Sequence, residues 1–324
     1  MPKTFQETPY LFYFLKYAEA LKSMTFFTSL FCLTLWTSCN SNPTPLSTHN
    51  IEQILQDSIK PATMTFDIIL EEVTADFLMG KFDPSKNDKY ILMKPPFSSN
   101  NMYARKEVME AFKAMQAQAK IDGIQLTVVS CLRDFKLQKA IWEGKWNREK
   151  PVDGKILPPL SELKGKERAL RILEWNAMPG TSRHHWGTDI DINSVNPEYF
   201  ETEKGKKEYA WLVENAPKYG FCQTYSEVGS NRPTGYKEEK WHWSFMPLSQ
   251  GFTQQYADKI KDKDITGFLG AESAVDIEVV KNYVLGINPA CKAMLNLPTA
   301  LLEEVAQEPI LPIQNTDVEI IAPQ

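Results

Sequence analysis

The sequence predicts a single α+β domain, and three observations carry that prediction. Segments with apolar residues at three- and four-residue spacings are interleaved with short stretches that alternate strictly. The composition is that of a folded chain, with 43% hydrophobic and 24% charged residues, and 324 residues are ample for a hydrophobic core. Between residues 64 and 290 there is neither an internal repeat nor a sharp shift in composition.

Taken in order, the first regular element is expected over 105–123, where Val108, Met109, Phe112, Met115 and Ala119 repeat on one helical face and Gly123 closes the run. The β-branched "IQLTVVSCL" at 124–132 reads as a strand, and 135–146 returns to helical spacing. A further helix spans 166–178 and is stopped by Pro179-Gly180. "TDIDI" at 188–192 alternates as a strand does, which places Asp189 and Asp191 on one face and both isoleucines on the other. A helix over 206–221 and a second alternating strand, "KWHWSF" at 240–245, follow. After residue 250 the pattern is helical, including 276–287, and the chain closes in a proline-containing tail.

The ends have their own character. An apolar run from Thr25 to Trp36 is too short to span a bilayer, and Lys16 and Lys22 supply the positive flank of a secretory signal. Thr37 and Ser38 precede Cys39, an arrangement that resembles a bacterial lipoprotein signal. Trp36 departs from the leucine usual at its position, and Glu7 and Glu19 are unusual in such a flank; a buried N-terminal helix is the alternative. The expected organisation is therefore a signal over 1–38, a tether over 39–63 with lipid-anchored Cys39 as its membrane contact, a catalytic domain over 64–250, a helical extension over 251–306 and a mobile tail over 307–324. With that signal removed and Cys39 taken up by the lipid, Cys131, Cys222 and Cys291 remain, and no CxxC pair exists to build a cysteine zinc knuckle. One disulfide with one free thiol, or three buried thiols, are equally compatible with the spacing. A formal net charge of −5 gives no basic face for nucleic acid, and the lysine-rich stretches 164–168 and 259–263 read as solvated helix faces.

Histidine carries the functional signal. The chain has four, and three of them, His184, His185 and His242, sit in two short motifs, "SRHHWGTDIDI" and "EEKWHW". A catalytic zinc centre needs about three imidazole or carboxylate ligands and an open position for water. His184 precedes the strand, Asp191 lies seven positions on within it, and Gly187 frees the backbone between them to fold both toward one point. His242 supplies a third ligand from another strand. Asp189 lies about 6–7 Å along the same strand face as Asp191, too far to be an equivalent ligand, and suits a role orienting one. Glu239 and Glu238 both stand close enough before His242 to act as general base, and spacing does not choose between them. His185 is expected at the surface or behind a ligand, and Trp241 and Trp243 on the side away from the metal.

These residues carry a family resemblance. "PGTSRHHWGTDIDI" is similar to the S-x-H-x-x-G-x-x-x-D signature of VanY-type D-alanyl-D-alanine carboxypeptidases, "EKWHW" to their E-x-W-H-W/Y motif, and "VVSCLRDFKLQ" to their S-G-Y-R-S-x-x-x-Q motif. The three occur in the family's order over roughly 105–247. The resemblance implies an α+β fold with a small central antiparallel sheet flanked by helices. It also implies one zinc ion held by His184, Asp191 and His242, Glu239 as the catalytic base, and Arg133 as the arginine that contacts substrate and polarises the scissile carbonyl. Ser182 and Gln138 fall on positions lining the substrate cleft, and the implied substrates are peptidoglycan stem peptides in the cell envelope. Departures from the pattern are Cys131-Leu132 before the arginine, Asp134 after it, and Asp189, an extra acid that bears on the substrate charge the cleft accepts. A metal-retaining binding module without hydrolysis is the competing reading; it has no need of Glu239 and Arg133 in register.

Overall fold

A computed structural model describes residues 71–293; the expected signal, the tether with Cys39, the end of the helical extension and the tail lie outside them. A one-turn helix α1 (Ala75–Leu78) leads into a hairpin of β1 (Tyr90–Met93) and β2 (Met102–Arg105). Helix α2 (Lys106–Ile121) follows, burying Val108, Met109, Phe112, Met115 and Ala119 as its spacing requires. Then come β3 (Val128–Ser130), α3 (Phe135–Trp146), α4 (Gly165–Leu173), β4 (Asp189–Ile192), α5 (Glu203–Asn215), β5 (Phe221–Gln223) and β6 (His242–Phe245). The chain continues through α6 (Met246–Lys259), α7 (Ser273–Ile277) and α8 (Pro289–Ala293). Four strands form one antiparallel sheet in the order β3-β4-β6-β5. The fold is α+β with a small antiparallel sheet among helices, as expected.

Register decides where the chemistry falls. In the β4–β6 pair Asp191 lies directly opposite His242 and Asp189 opposite Ser244. Because side chains alternate, all four project from one sheet face, while Ile190 and Ile192 enter the core on the other. A shift in register between Val128 and Ser130 brings Ser130 opposite Asp191.

Several elements differ from the sequence expectation for identifiable reasons. The strand expected over 124–132 shortens to three residues because Ile124 closes helix α2, donating its N–H to the Ala119 carbonyl across Gly123 at φ +77°. Helix α4 ends at Leu173 rather than 178, and the Glu174 carbonyl accepts the Lys237 N–H instead. The expected helix 206–221 stops at Asn215, two residues before Pro217. Gly220 at φ +80° then turns the chain into β5, a strand hidden inside the helical reading. The expected helix 276–287 breaks at Glu278, whose φ is +51°, and resumes as a π-helical turn over Val280–Val284.

The boundary expected after residue 250 falls inside α6, and Phe252, Tyr256 and Ile260 belong to the same core as Leu78 and Trp186. The stretch 164–168 is not a wholly solvated face. Arg168 is fully buried, and its guanidinium donates to the carbonyls of Trp146, Pro158 and Leu163. The stretch 259–263 is not a helix face either: Lys259 ends α6, Ile260 is buried, and a 3-10 turn follows over Asp262–Asp264. Cys222 and Cys291 form a disulfide, and Cys131 is a buried free thiol. Among the described residues no helix is long and apolar enough to cross a membrane.

Candidate metal centre and cleft

His184 sits in a 3-10 turn (Arg183–Trp186) that Gly187 closes in the left-handed region at φ +68°. Only glycine fits there: a Cβ on Gly187 would lie 2.7 Å from the Tyr90 ring and 3.2 Å from Leu132. The turn is tied to the segment after β3 by two bonds. Arg133 N–H donates to the His184 carbonyl at 3.1 Å, and His184 Nδ1 donates to the Cys131 carbonyl at 2.7 Å. The second bond fixes the tautomer and leaves the Nε2 lone pair of His184 free. His242 is fixed the other way round. Its Nε2 donates to Asp189 Oδ2 at 2.9 Å, so Nδ1 is the free nitrogen.

The two free nitrogens and Asp191 Oδ1 converge. His184 Nε2 lies 3.3 Å from His242 Nδ1 and 3.4 Å from Asp191 Oδ1, and His242 Nδ1 lies 3.3 Å from the same oxygen. A tetrahedral zinc with ligand bonds of about 2.0–2.1 Å has ligand–ligand edges of about 3.3–3.4 Å. The three atoms therefore form one nearly equilateral face of such a site. All three residues are buried, and Asp191 Oδ1 has no hydrogen-bond partner. A buried carboxylate oxygen without a donor is costly, and a cation on this face removes the cost. Among the described residues this is a group that could hold a metal ion, and its donor set fits zinc.

The electrostatics agree with that reading. Burial, with the Arg133 charge adding to it, depresses the His184 pKa, so the ring is neutral. Burial also opposes charge on His242, but the carboxylates of Asp189, Asp191 and Glu239 outweigh it and hold its pKa well above the ordinary histidine value. A proton on His242 and a cation on the ligand face are thus alternatives for the same negative field. Burial raises the pKa of Glu239, against the pull of His242. Its Oε2 stands 3.3 Å from His242 Nδ1. Glu238 is turned elsewhere, toward the Tyr209 hydroxyl at 3.4 Å. Of the two glutamates, Glu239, the one the resemblance implies as base, stands beside the ligand face and Glu238 does not.

A recess open to solvent lies over this face, and its lining includes Arg133, Ser182, His184, Glu239 and His242. Arg133 Nε is buried and has no hydrogen-bond partner. Gln138 is not on the lining. Its side chain is buried in α3 and its Nε2 donates to the carbonyl of Ala177, which does line the recess. Asp134 caps α3, accepting the Leu137 N–H at 2.7 Å, which accounts for this departure from the family pattern.

His185 is fully buried rather than at the surface. Its Nε2 accepts from Gly180 N–H at 3.0 Å and its Nδ1 donates to the Arg133 carbonyl at 2.6 Å. Burial lowers its pKa to about 3, so it stays neutral and holds the Arg133 backbone in place. Asp189, expected as an extra acid bearing on the cleft, is neutralised from behind. Arg183 Nε meets Oδ2 at 3.0 Å, Ser244 and Thr188 hydroxyls donate to Oδ1, and both partners of the ion pair are fully buried. Its charge orients His242 and is screened from any ligand in the recess.

Four residues escaped the sequence reading. Arg183 was passed over between Ser182 and His184, though a buried acid two strand positions from a ligand calls for a cation. Tyr225, Tyr236 and Trp175 also line the recess. The Tyr225 ring lies tilted against the His242 ring at 4.7 Å, and Tyr236 carries a buried hydroxyl without a well-formed hydrogen bond. Trp175 stacks on Trp241 at 5.8 Å, so Trp241 backs the recess wall without lining it, while Trp243 enters the core. Tyr236 stands three residues before Glu239, and extending the "EEKWHW" motif upstream would have found it.

Three potential ligands, a carboxylate beside them and an arginine at the recess are the parts of a hydrolytic metal centre. Comparisons with known proteins identify the family. The model for VanY, D-alanyl-D-alanine carboxypeptidase, matches residues 101–248. An uncharacterized protein of Haemophilus influenzae is 33% identical over 108 residues, 29% of this chain and 81% of its own length. A D-alanyl-D-alanine carboxypeptidase of Enterococcus faecium is 24% identical over 273 residues, 83% of this chain and 78% of that protein. Among solved structures, a vancomycin-resistance D,D-pentapeptidase VanY in complex with Zn(II) aligns over 66% of this chain and 98% of its own, at 21% identity and a TM-score of 0.39. The chain belongs to the VanY-type family of D-alanyl-D-alanine carboxypeptidases.

Proposed function

We propose that this protein is a single-zinc carboxypeptidase that removes the terminal D-alanine from peptidoglycan stem peptides ending in D-Ala-D-Ala. The observation that carries the reading is the triangular face of His184 Nε2, His242 Nδ1 and Asp191 Oδ1, with 3.3–3.4 Å edges and the Glu239 carboxylate 3.3 Å from one corner. Family membership supports the substrate class, and the export-like N-terminal pattern supports an envelope location with Cys39 as lipid anchor.

When bound, the zinc ion would activate a water and act as Lewis acid toward the scissile carbonyl. The protein's own groups do the rest. Glu239, raised toward neutrality by burial, takes the proton of the attacking water and returns it to the leaving amine. Arg133, with its uncommitted Nε, stabilises negative charge on the substrate, on the carbonyl oxygen or the terminal carboxylate. Tyr236 offers a second donor without a well-formed hydrogen bond in the same recess, and Ser182 is also on its lining.

The test is digestion of purified muropeptides by zinc-loaded protein and by its Glu239→Ala variant, read by mass spectrometry. Loss of one terminal alanine by the wild type, slowed about 10²–10⁴-fold in the variant, is expected. Release of a D-Ala-D-Ala dipeptide or cleavage between the first two stem residues would reassign the bond. Intact muropeptides with both proteins, while zinc remains bound, would favour a binding module.

A further inference from the structure

The family model ends at residue 248, yet the segment beyond it reaches both sides of the recess. On one side it holds α3 and α4, the helices that adjoin the lining residues Arg133, Trp175 and Ala177 in the chain. Trp142 Nε1 donates to the Leu269 carbonyl at 2.8 Å, and Leu269 N–H donates to Glu143 at 3.1 Å. Lys166 Nζ donates to the Asp276 carbonyl at 2.8 Å. On the other side it holds β5 and the loop from Thr224 to Glu239. Asn288 N–H donates to Thr224 at 2.8 Å, its side chain donates to Gln223 at 3.1 Å, and Cys291 closes the disulfide to Cys222.

Between these anchors the segment lies directly against the loop. The Tyr283 ring meets the Tyr236 ring at 5.1 Å in an edge-on contact. Gly235, at φ +99°, is pressed so close that a Cβ there would lie 2.7 Å from the Gly286 carbonyl oxygen. The Tyr236 ring thus has two ring neighbours in edge-type contacts, Tyr225 at 4.8 Å and Tyr283 at 5.1 Å. The Tyr236 hydroxyl reaches the recess without a well-formed hydrogen bond, with the Thr181 side chain close enough to interact with it, so the ring contacts carry most of its placement.

We infer that residues 267–291 are a strap that ties the two walls of the recess together, and that Tyr283 is a positioning residue that sets where Tyr236 presents its hydroxyl to substrate. This rests on the recess being the substrate site. A phenol held from behind loses no rotamer freedom when substrate arrives, so the strap acts on binding more than on turnover.

The experiment measures kcat and KM on a D-Ala-D-Ala-ended peptide for zinc-loaded wild type, Tyr283→Ala, Tyr283→Phe, Tyr236→Phe and the double variant Tyr236→Phe/Tyr283→Ala. Tyr283→Ala should raise KM about tenfold with kcat little changed, the scale of one lost hydrogen bond. Tyr283→Phe keeps the ring and should restore the wild-type KM. Once the Tyr236 hydroxyl is gone, Tyr283→Ala should add little, because both changes remove the same contact. Additive losses, or an unchanged KM in Tyr283→Ala, overturn the inference. Amide exchange over residues 232–239 is followed in parallel and does not need turnover. If the wild type hydrolyses nothing, the functional reading falls, and exchange still decides the strap. Faster exchange in Tyr283→Ala than in wild type upholds it, and equal exchange refutes it.

Discussion

Replacing Asp189 by asparagine isolates what its charge does behind the metal face. The carboxylate accepts four donors: Arg183 Nε and His242 Nε2 at Oδ2, and the Ser244 and Thr188 hydroxyls at Oδ1. Asparagine can keep this geometry. Its oxygen takes the place of Oδ2, and its NH₂ faces two hydroxyls that can turn to accept. What it cannot keep is the negative charge opposite Arg183, whose guanidinium is fully buried. Removing one partner of a buried ion pair costs about 3–5 kcal/mol, and the retained hydrogen bonds place this change near about 3. For a domain of this size that corresponds to a fall of roughly 6–12 °C in the Tm of the metal-free protein. The weaker acceptor on His242 should also lower zinc affinity by about 10–100-fold. Thermal unfolding in excess chelator measures the first effect, and competition with a zinc indicator measures the second. A Tm within about 2 °C of wild type together with zinc affinity within about twofold would refute the role assigned to Asp189.

Other outcomes follow from the same structure. Gly187→Ala should destabilise the protein by about 2–3 kcal/mol in denaturant unfolding, since it combines a left-handed backbone with a Cβ 2.7 Å from the Tyr90 ring. Arg133→Ala should lower kcat/KM about 10²–10³-fold while zinc affinity, measured by the same competition, stays near wild type. The Glu107 carboxyl is partly buried, which raises its pKa, but bonds from Arg105 bring the net value below the ordinary 4.5. Its stabilising contribution is therefore complete above the unfolded pKa and is lost as pH falls through the lower folded value. The stability deficit of Glu107→Gln, from urea unfolding, should be full at neutral pH and shrink as the solution is acidified below the ordinary glutamate range. A deficit that grew on acidification would contradict this sign.

The functional groups were legible in the sequence to the extent that they lie in local patterns. His184, Gly187 and Asp191 share one turn and strand, and a strand's period of two puts Asp189 on the same face as Asp191. Arg133 stands at a strand end and Glu239 shortly before a strand, each within a short motif. What stayed hidden depends on contacts between distant parts of the chain. Gln138 sits in the right motif, yet the packing of α3 turns it to the Ala177 carbonyl. β5 is masked by the helical spacing that runs into it. Nothing near Cys222 or Cys291 in sequence pairs them.

The sequence by itself determined the α+β class, the candidate ligands and base, and the family, because helix period, strand alternation and motif spacing are local properties of the chain. The tertiary structure alone decided the partners. Arg183 neutralises Asp189, His185 holds the Arg133 backbone, and the C-terminal segment reaches Tyr236. Each of these is a pairing between groups whose separation along the chain carries no information about their separation in space. Only the close packing of the core, where a buried charge or donor must find a partner, selects them.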